Sequence, residues 1–196
     1  MNRTSLIDPR FVTNYNRDDF DLQLFWLFCL VVAGKTAMTQ AKLLDGFLKA
    51  NIPQGMPNAT PFQVINNLVS TGELLEALKT SRLGQYTRLE RAMRLSLSLK
   101  LQTDSVDAFE AIPGVGSKTA RFFLLHSRPN QQIAVLDTHV LRHMRNLSLT
   151  TQDGTPPKGP KYEVLEQEFI KLAKQANMSI ADYDLHIWRT GSGNTL

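Results

Sequence analysis

The side chains of Lys118 and Asp137, nineteen positions apart, are candidates for a nucleophile and for a carboxylate acting beside it. A lysine amine attacks carbon centres when it is neutral. A helix from Lys118 to Ser127 rises about 15 Å. After a turn at 128–130, an extended segment at 132–136 returns by a similar distance, at about 3.3 Å per residue. The spacing therefore predicts that Asp137 comes back to the level of Lys118, at the mouth of one cleft.

Each of the two residues also has a purely structural interpretation. Asp137 is placed to cap a helix that starts at Thr138, and a capping carboxylate can serve a site as well. An isolated lysine more often contacts phosphate or solvent than reacts. The residues alone leave these alternatives open.

A tight turn with the sequence IPGVGS, at residues 112–117, stands directly before Lys118. Its glycines can adopt positive φ and leave their N–H groups uncovered. The helix that begins at about Ser117 presents N–H groups without intrahelical partners at the positive end of its dipole, which makes an anion site. A phosphodiester bound there is held without regard to base identity. A plain helix–turn–helix corner is the alternative.

The composition permits a polyanionic partner without requiring one. The 196 residues carry a formal net charge of +4, with a pI near 9.3. The single cysteine, Cys29, excludes an internal disulfide and any four-cysteine metal or iron–sulfur site. It lies in the apolar run 24–33, which spans only about 15 Å as a helix and is predicted to be a core helix, not a membrane anchor. The N-terminus lacks the order of a signal peptide, so an intracellular location, cytoplasm or nucleoid, is expected.

Helical periodicity dominates the chain and predicts an all-α protein with roughly ten helices. Asp18 and Asp19 can cap a first helix that runs to about Ala33. Further helices are predicted at Ala37–Ala50, from Thr60-Pro61, from Thr71, at Gln85–Lys100, from Asp104, from Ser117, from Thr138, from Pro160 and from Ser179. The helix at Gln85–Lys100 carries Arg88, Arg91 and Arg94 on one face, as a solvated face or as a DNA contact.

Three stretches around the turn resemble a known superfamily. IPGVG at 112–116 looks like a helix–hairpin–helix element, and GVGSKTA at 114–120 resembles its version in DNA glycosylases. AVLDTHV at 134–140 is similar to the aspartate-bearing segment of those enzymes. Together they resemble the helix–hairpin–helix/GPD superfamily, which includes endonuclease III and 8-oxoguanine glycosylases. The resemblance is strong over about 106–145 and weaker, though collinear, over 20–100 and the last helix.

That resemblance implies an all-α, two-lobed glycosylase fold with a cleft between the lobes. Lobe one would cover about 20–105, and lobe two about 1–19 plus 106–196. Lys118 would attack C1′ of the nucleotide, displace the base and form a Schiff base, which permits β-elimination at the 3′ phosphate. Asp137 would stabilise the developing positive sugar or help move protons. Monofunctional members lack this lysine, so its presence implies a bifunctional DNA glycosylase and AP lyase of base excision repair.

The DNA contacts implied by the resemblance begin with the hairpin. They comprise Gly114, Val115, Gly116 and Ser117, together with Lys35, His139 and Arg142. Lys35 stands in the turn where relatives fill the gap left by a flipped base, so it is a candidate wedge or phosphate contact. His139 and Arg142 lie on the helix after Asp137, where simple solvent exposure is the alternative.

The chain departs from endonuclease III because it lacks the four-cysteine loop after the last helix. No iron–sulfur cluster and no other metal is therefore expected. His139 and His143 are four apart, but no carboxylate pattern accompanies them. The hairpin carbonyls are where some relatives hold a monovalent cation.

The expected partner is double-stranded DNA containing a damaged base. The protein is expected to bind it as a monomer, and no association with a membrane is expected. A non-catalytic helix–hairpin–helix DNA-binding module is the main alternative, and an enzyme acting on a modified base is another. The sequence of the segment Asp137–Val140 is more similar to that of endonuclease III. This similarity favours oxidised pyrimidines as the substrate. The missing cluster favours 8-oxoguanine instead, and the sequence leaves both bases open.

Overall fold

A computed structural model describes residues 6–191 of the chain. Over this range the chain forms ten α-helices and one short 3₁₀ helix without any β-strand, so the all-α prediction is confirmed. The 3₁₀ helix spans Pro9–Phe11. The α-helices are α1 (Asp19–Val32), α2 (Ala37–Ala50), α3 (Pro61–Ser70), α4 (Leu74–Thr80), α5 (Tyr86–Ser96), α6 (Val106–Glu110), α7 (Ser117–Ser127), α8 (Thr138–Asn146), α9 (Pro160–Gln175) and α10 (Ile180–Gly191).

The described residues fall into two compact units. Unit 1 comprises Asn16–Val115 and the described residues up to Val12. Unit 2 comprises Thr13–Tyr15 and the described residues from Gly116 onwards. The chain thus passes from one unit to the other inside the IPGVGS turn, whereas the lobe boundaries expected from the sequence remain a prediction.

Helix α1 is the centre of unit 1. Every residue from Leu24 to Val31 is buried, because helices α2, α3 and α5 pack around it. Trp26 donates its indole N–H to Ser96 Oγ at 2.7 Å, and its ring meets Phe109 edge-on at 4.9 Å between centroids. Burial raises the pKa of the Cys29 thiol well above its ordinary value. The predicted core helix is confirmed.

None of the helices in the described part of the chain is long and apolar enough to cross a membrane.

Local capping explains where two of these helices start. The Asp18 side chain accepts from Asp21 N at 3.0 Å, which caps α1 as predicted. At α3, Thr60 Oγ1 accepts from Gln63 N, and Gln63 Oε1 accepts from Thr60 N at 2.8 Å. This reciprocal pair is a capping box, and it confirms the predicted start at Thr60.

Two predicted boundaries were wrong. Helix α4 starts at Leu74 and not at Thr71. Thr71 belongs to the end of α3, because its N–H donates to Asn67 O, and Gly72 then turns the chain with φ +75°. Helix α5 ends at Ser96 and not at Lys100, where the predicted helix ended. The apolar periodicity continues past that end. The N–H groups of residues 97–99, however, donate to carbonyls three residues earlier, as in a 3₁₀ turn, instead of four residues earlier as in an α-helix.

In unit 2, the segment 131–137 is non-helical, as predicted, and pairs with no strand among residues 6–191. Side chains of α9 satisfy its buried backbone instead. The Tyr162 hydroxyl donates to Ala134 O at 2.9 Å and accepts from Leu136 N at 3.3 Å. Glu166 Oε1 accepts from Ala134 N and from Arg121 Nε, each at 2.9 Å. This network holds the segment that ends at Asp137.

Candidate active site

Lys118 and Asp137 come together within unit 2. Lys118 lies in the first turn of α7, and its Nζ is 4.0 Å from Asp137 Oδ2. The lysine side chain is 42% exposed and that of the aspartate 14%, so solvent reaches the amine while the carboxylate is largely enclosed. The predicted return of Asp137 to the level of Lys118 agrees with this distance.

The two oxygens of Asp137 have different partners. Oδ1 accepts from the backbone N–H groups of His139 and Val140, each at 2.9 Å, and so caps α8. Oδ2 faces Lys118 at a separation too long for a hydrogen bond. Asp137 is therefore a helix cap and a charged partner of the lysine at once, and the cap fixes the direction of the free oxygen.

A further buried carboxyl, Asp184 on α10, was not singled out in the sequence. It is 5% exposed and lies 3.1 Å from His126 Nε2 through its Oδ2. Burial raises the pKa of Asp184, and the charge of Asp137 adds to this, whereas His126 and Lys118 oppose it. One signal could have found it, since Asp184 shares the buried face of α10 with Ile180.

The turn before Lys118 is shaped by Gly114 and Arg88 within unit 1. Gly114 has φ +90°, a region that glycine adopts without strain. Arg88 donates to Gly114 O at 3.0 Å and to Leu30 O at 2.7 Å, which ties the turn to the end of α1. The sequence left Arg88 open as part of a solvated face or as a DNA contact. In the structure its side chain is partly buried and bound to these two carbonyls, and the DNA contact remains a hypothesis.

The start of α7 supplies uncovered N–H groups, as the anion site requires. Gly116 is its N-cap and, as a glycine, offers no side-chain acceptor to the N–H groups of the first turn. Val115 and Ser117 on either side are buried, so they contribute through the backbone. Anion binding by these N–H groups remains a prediction.

Substituting Gly114 by alanine is expected to destabilise unit 1 by about 1–3 kcal/mol. An added Cβ would lie 2.6 Å from Arg88 Cγ, and the positive φ adds strain. Urea unfolding measures the loss. Gly116→Ala is the matched control, because Gly116 has φ −95° and nothing lies within 4 Å of an added Cβ. It should cost less than about 1 kcal/mol. Equal losses in the two variants would contradict this explanation.

Lys35, the candidate wedge, lies in the turn after α1. Its ammonium donates to the carbonyl of Leu83. Burial lowers the pKa of Lys35, and the positive charge of Arg88 lowers it further. Lys35 is thus held by a backbone carbonyl of unit 1, and its role as a wedge or a phosphate contact remains a prediction.

His139 and Arg142 lie one turn apart on α8. Arg142 donates to Gly191 O at 2.5 Å and lies 3.1 Å from His139 Nδ1. Nearby, His143 Nε2 is 2.9 Å from the Tyr183 hydroxyl, and burial lowers the pKa of this histidine. No group of three or more His, Cys, Asp or Glu side chains that could hold a metal occurs within residues 6–191. Both predicted contacts thus sit at the α8–α10 surface of unit 2.

Comparison with known proteins places this arrangement in a family. Two crystal structures of the Methanocaldococcus jannaschii 8-oxoguanine glycosylase resemble it, each at 20% identity over 95% of this chain. The one in complex with a 15mer DNA containing 8-oxoguanine has a TM-score of 0.68 and is covered over 88% of its length. The other has a TM-score of 0.67 and 86% coverage. This likeness shows the fold, and no curated protein sequence matches the chain.

The sequence model of the Ogg-HhH family, described as 8-oxoguanine DNA glycosylase, matches residues 11–178. That range contains the IPGVGS turn, Lys118 and Asp137. The match confirms the resemblance to helix–hairpin–helix glycosylases and, of the two branches left open by the sequence, selects that of 8-oxoguanine. The chain therefore belongs to the 8-oxoguanine DNA glycosylase family of helix–hairpin–helix proteins.

Proposed function

We propose that this chain excises 8-oxoguanine from double-stranded DNA and then cleaves the strand as an AP lyase. The observation that carries this proposal is the approach of an accessible lysine to an enclosed carboxylate, 4.0 Å apart, directly after the glycine-capped start of α7. A module that only bound DNA would have no need of that pair.

In the proposed reaction, neutral Lys118 Nζ attacks C1′ of the flipped nucleotide. The C1′–base bond breaks with its electron pair leaving on the base, which takes up a proton. The C1′–O4′ bond then breaks with its electron pair on O4′, which takes up a proton, and the ring opens to an iminium between C1′ and Nζ. Loss of a proton from C2′ then expels the 3′ phosphate by β-elimination. Positive charge develops on the sugar and persists on the iminium, where Asp137 Oδ2 is directed to stabilise it.

The same proposal assigns the DNA contacts. The backbone N–H groups at residues 114–117 bind a phosphate without reading the base. Lys35, His139 and Arg142 add positive charge or hydrogen-bond donors along the backbone. The base must leave the stack, because C1′ of a stacked nucleotide is hidden from Lys118.

The substrate and setting are proposals as well. The family description and the DNA in the archaeal complex support 8-oxoguanine in duplex DNA as the substrate. The protein would act as a monomer inside the cell, in the cytoplasm or nucleoid. The hairpin carbonyls are candidate ligands of a monovalent cation, although that of Gly114 already accepts from Arg88.

Incubation with four duplexes tests the proposal. They carry 8-oxoguanine, thymine glycol, uracil and an abasic site, and each reaction is run with and without borohydride. We expect excision and strand cleavage at 8-oxoguanine, cleavage at the abasic site, and a borohydride-trapped adduct with both. Salt-sensitive binding without scission of any duplex would instead establish the binding module. Excision confined to thymine glycol would correct the substrate.

A further inference from the structure

The loop that joins α8 to α9, residues 147–159, reaches the segment that ends at Asp137. Thr155 Oγ1 in this loop donates to Leu136 O at 2.7 Å, across nineteen positions of chain. This contact lies within unit 2, which also contains Lys118 and Asp137. The reaction described above uses no group of this loop.

The carbonyl that Thr155 binds belongs to the same peptide group as Asp137 N. A peptide group is planar, so a bond to one end restrains the other end as well. The second end is also bound, because Asp137 N donates to Val135 O at 2.9 Å. The Tyr162 hydroxyl, by contrast, accepts from Leu136 N at 3.3 Å and so restrains the preceding peptide. Thr155 is therefore the side chain that holds the peptide leading directly into Asp137.

Asp137 is held from its other side by its own helix cap. Its Oδ1 accepts from the N–H groups of His139 and Val140. With the preceding peptide and the cap both fixed, the free Oδ2 lies 4.0 Å from Lys118 Nζ. A rotation of the preceding peptide would turn the Cα–Cβ bond of Asp137, which would carry Oδ2 away from the amine or break the cap. The aim of the carboxylate thus depends on that peptide.

The loop holds Thr155 in place for this bond. Pro156 follows directly, and a residue before proline is restricted to extended conformations. Pro156 is buried although Thr155 is exposed, so the proline anchors the loop at this point. Earlier in the loop, Arg145 of α8 donates to Gln152 O at 2.6 Å. Because these contacts already order the loop, Thr155 makes its bond at little further cost in chain entropy.

We propose that Thr155 is a positioning residue for Asp137. Its hydroxyl sets the orientation of the peptide before Asp137 and so aims Oδ2 at the positive charge that develops at Lys118 and on the sugar. This inference rests on the proposed lyase function. A charge that is already in place needs no rearrangement during the reaction, and a displacement of about 1 Å costs much of its effect.

Thr155→Val and Thr155→Ser test the proposal in single-turnover adduct formation with an abasic duplex and cyanoborohydride. Valine keeps the shape of threonine but lacks the hydroxyl, so the maximal rate should fall about tenfold. Serine retains the hydroxyl, so its rate should stay within about twofold of that of the unmodified chain. Duplex affinity should stay within about threefold in both variants, because the proposed phosphate contacts lie elsewhere.

A double variant shows whether Thr155 acts through Asp137. In Asp137→Asn the charge is already absent, so no carboxylate remains for Thr155 to aim. Adding Thr155→Val to that variant should lower the rate by less than about twofold. A loop that mattered only for folding would lower the rate by the same factor in both backgrounds.

Thr151→Val is the matched control. Thr151 is an exposed threonine of the same loop, and its hydroxyl bonds to no group within residues 6–191. Its adduct should form at the unmodified rate. An equal loss of rate in Thr151→Val and Thr155→Val would assign the effect to the loop as a whole and overturn the inference.

The outcomes separate this inference from the proposed function. An unmodified chain that forms no adduct refutes the lyase function, and the inference falls with it. An unmodified chain that forms the adduct no faster than Thr155→Val overturns the inference alone. An equal fall in Thr155→Ser and Thr155→Val, or a full tenfold fall in the Asp137→Asn background, overturns it as well. Thr155→Ala replaces the valine variant if that one does not fold, with the same expected results.

Discussion

Replacing Lys118 by alanine is expected to abolish strand cleavage and borohydride trapping while the chain still binds duplex DNA. The amine is the group that would form the bond to C1′, and alanine has no atom to replace it. The loss should be at least about a thousandfold, since nucleophilic catalysis has no partial substitute at this position. The Lys118 side chain is 42% exposed and approaches Asp137 no closer than 4.0 Å, so its removal should leave folding intact.

The matched control for this variant is Lys171→Ala. Lys171 lies on α9 and pairs with Glu168 at 2.7 Å on the surface of the same unit. An exposed pair of this kind contributes at most about 1 kcal/mol, so stability and trapping should both be unchanged. Trapping that persists in Lys118→Ala would show that another amine is the nucleophile. Loss of trapping in Lys171→Ala would point to damage unrelated to the site.

Local patterns in the sequence predicted the parts of the site that depend on neighbouring residues. The cap at Asp137 follows from an aspartate standing just before a helix. The approach of Lys118 to Asp137 follows from a helical rise and a return of similar length. Gly114 at positive φ follows from the turn chemistry. Each of these features is encoded within about twenty residues of chain.

The same local patterns did not predict contacts between residues that lie far apart in the sequence. The spacing of Arg88 from the arginines that follow it is typical of a solvated helix face. Only the fold reveals that Arg88 donates to carbonyls 58 and 26 residues away. In the sequence, Asp184 is one carboxylate of an amphipathic helix. Only the structure shows that His126 lies against it. Periodicity states which face of a helix is buried, but not which side chain from another helix meets it.

Separate variants of Asp137 should divide its two roles. Asparagine is as good an N-cap as aspartate, so Asp137→Asn should keep the free energy of unfolding within about 0.5 kcal/mol of the unmodified chain. It removes the charge that faces Lys118, so the rate of adduct formation should fall about a hundredfold. Asp137→Ala should show a similar fall in rate. It should also lose about 1 kcal/mol of stability, because the N–H groups of His139 and Val140 lose their acceptor.

Urea unfolding and single-turnover trapping with an abasic duplex measure the two effects separately. The difference in stability between Asp137→Asn and Asp137→Ala reports the cap, and their shared loss of rate reports the charge. If Asp137→Asn traps at the unmodified rate, the carboxylate acts on α8 alone and does not stabilise the reacting sugar. If it loses as much stability as Asp137→Ala, the capping geometry depends on the charge. A slow but well-folded Asp137→Asn would establish that one carboxylate both starts α8 and acts on the charge that develops at Lys118.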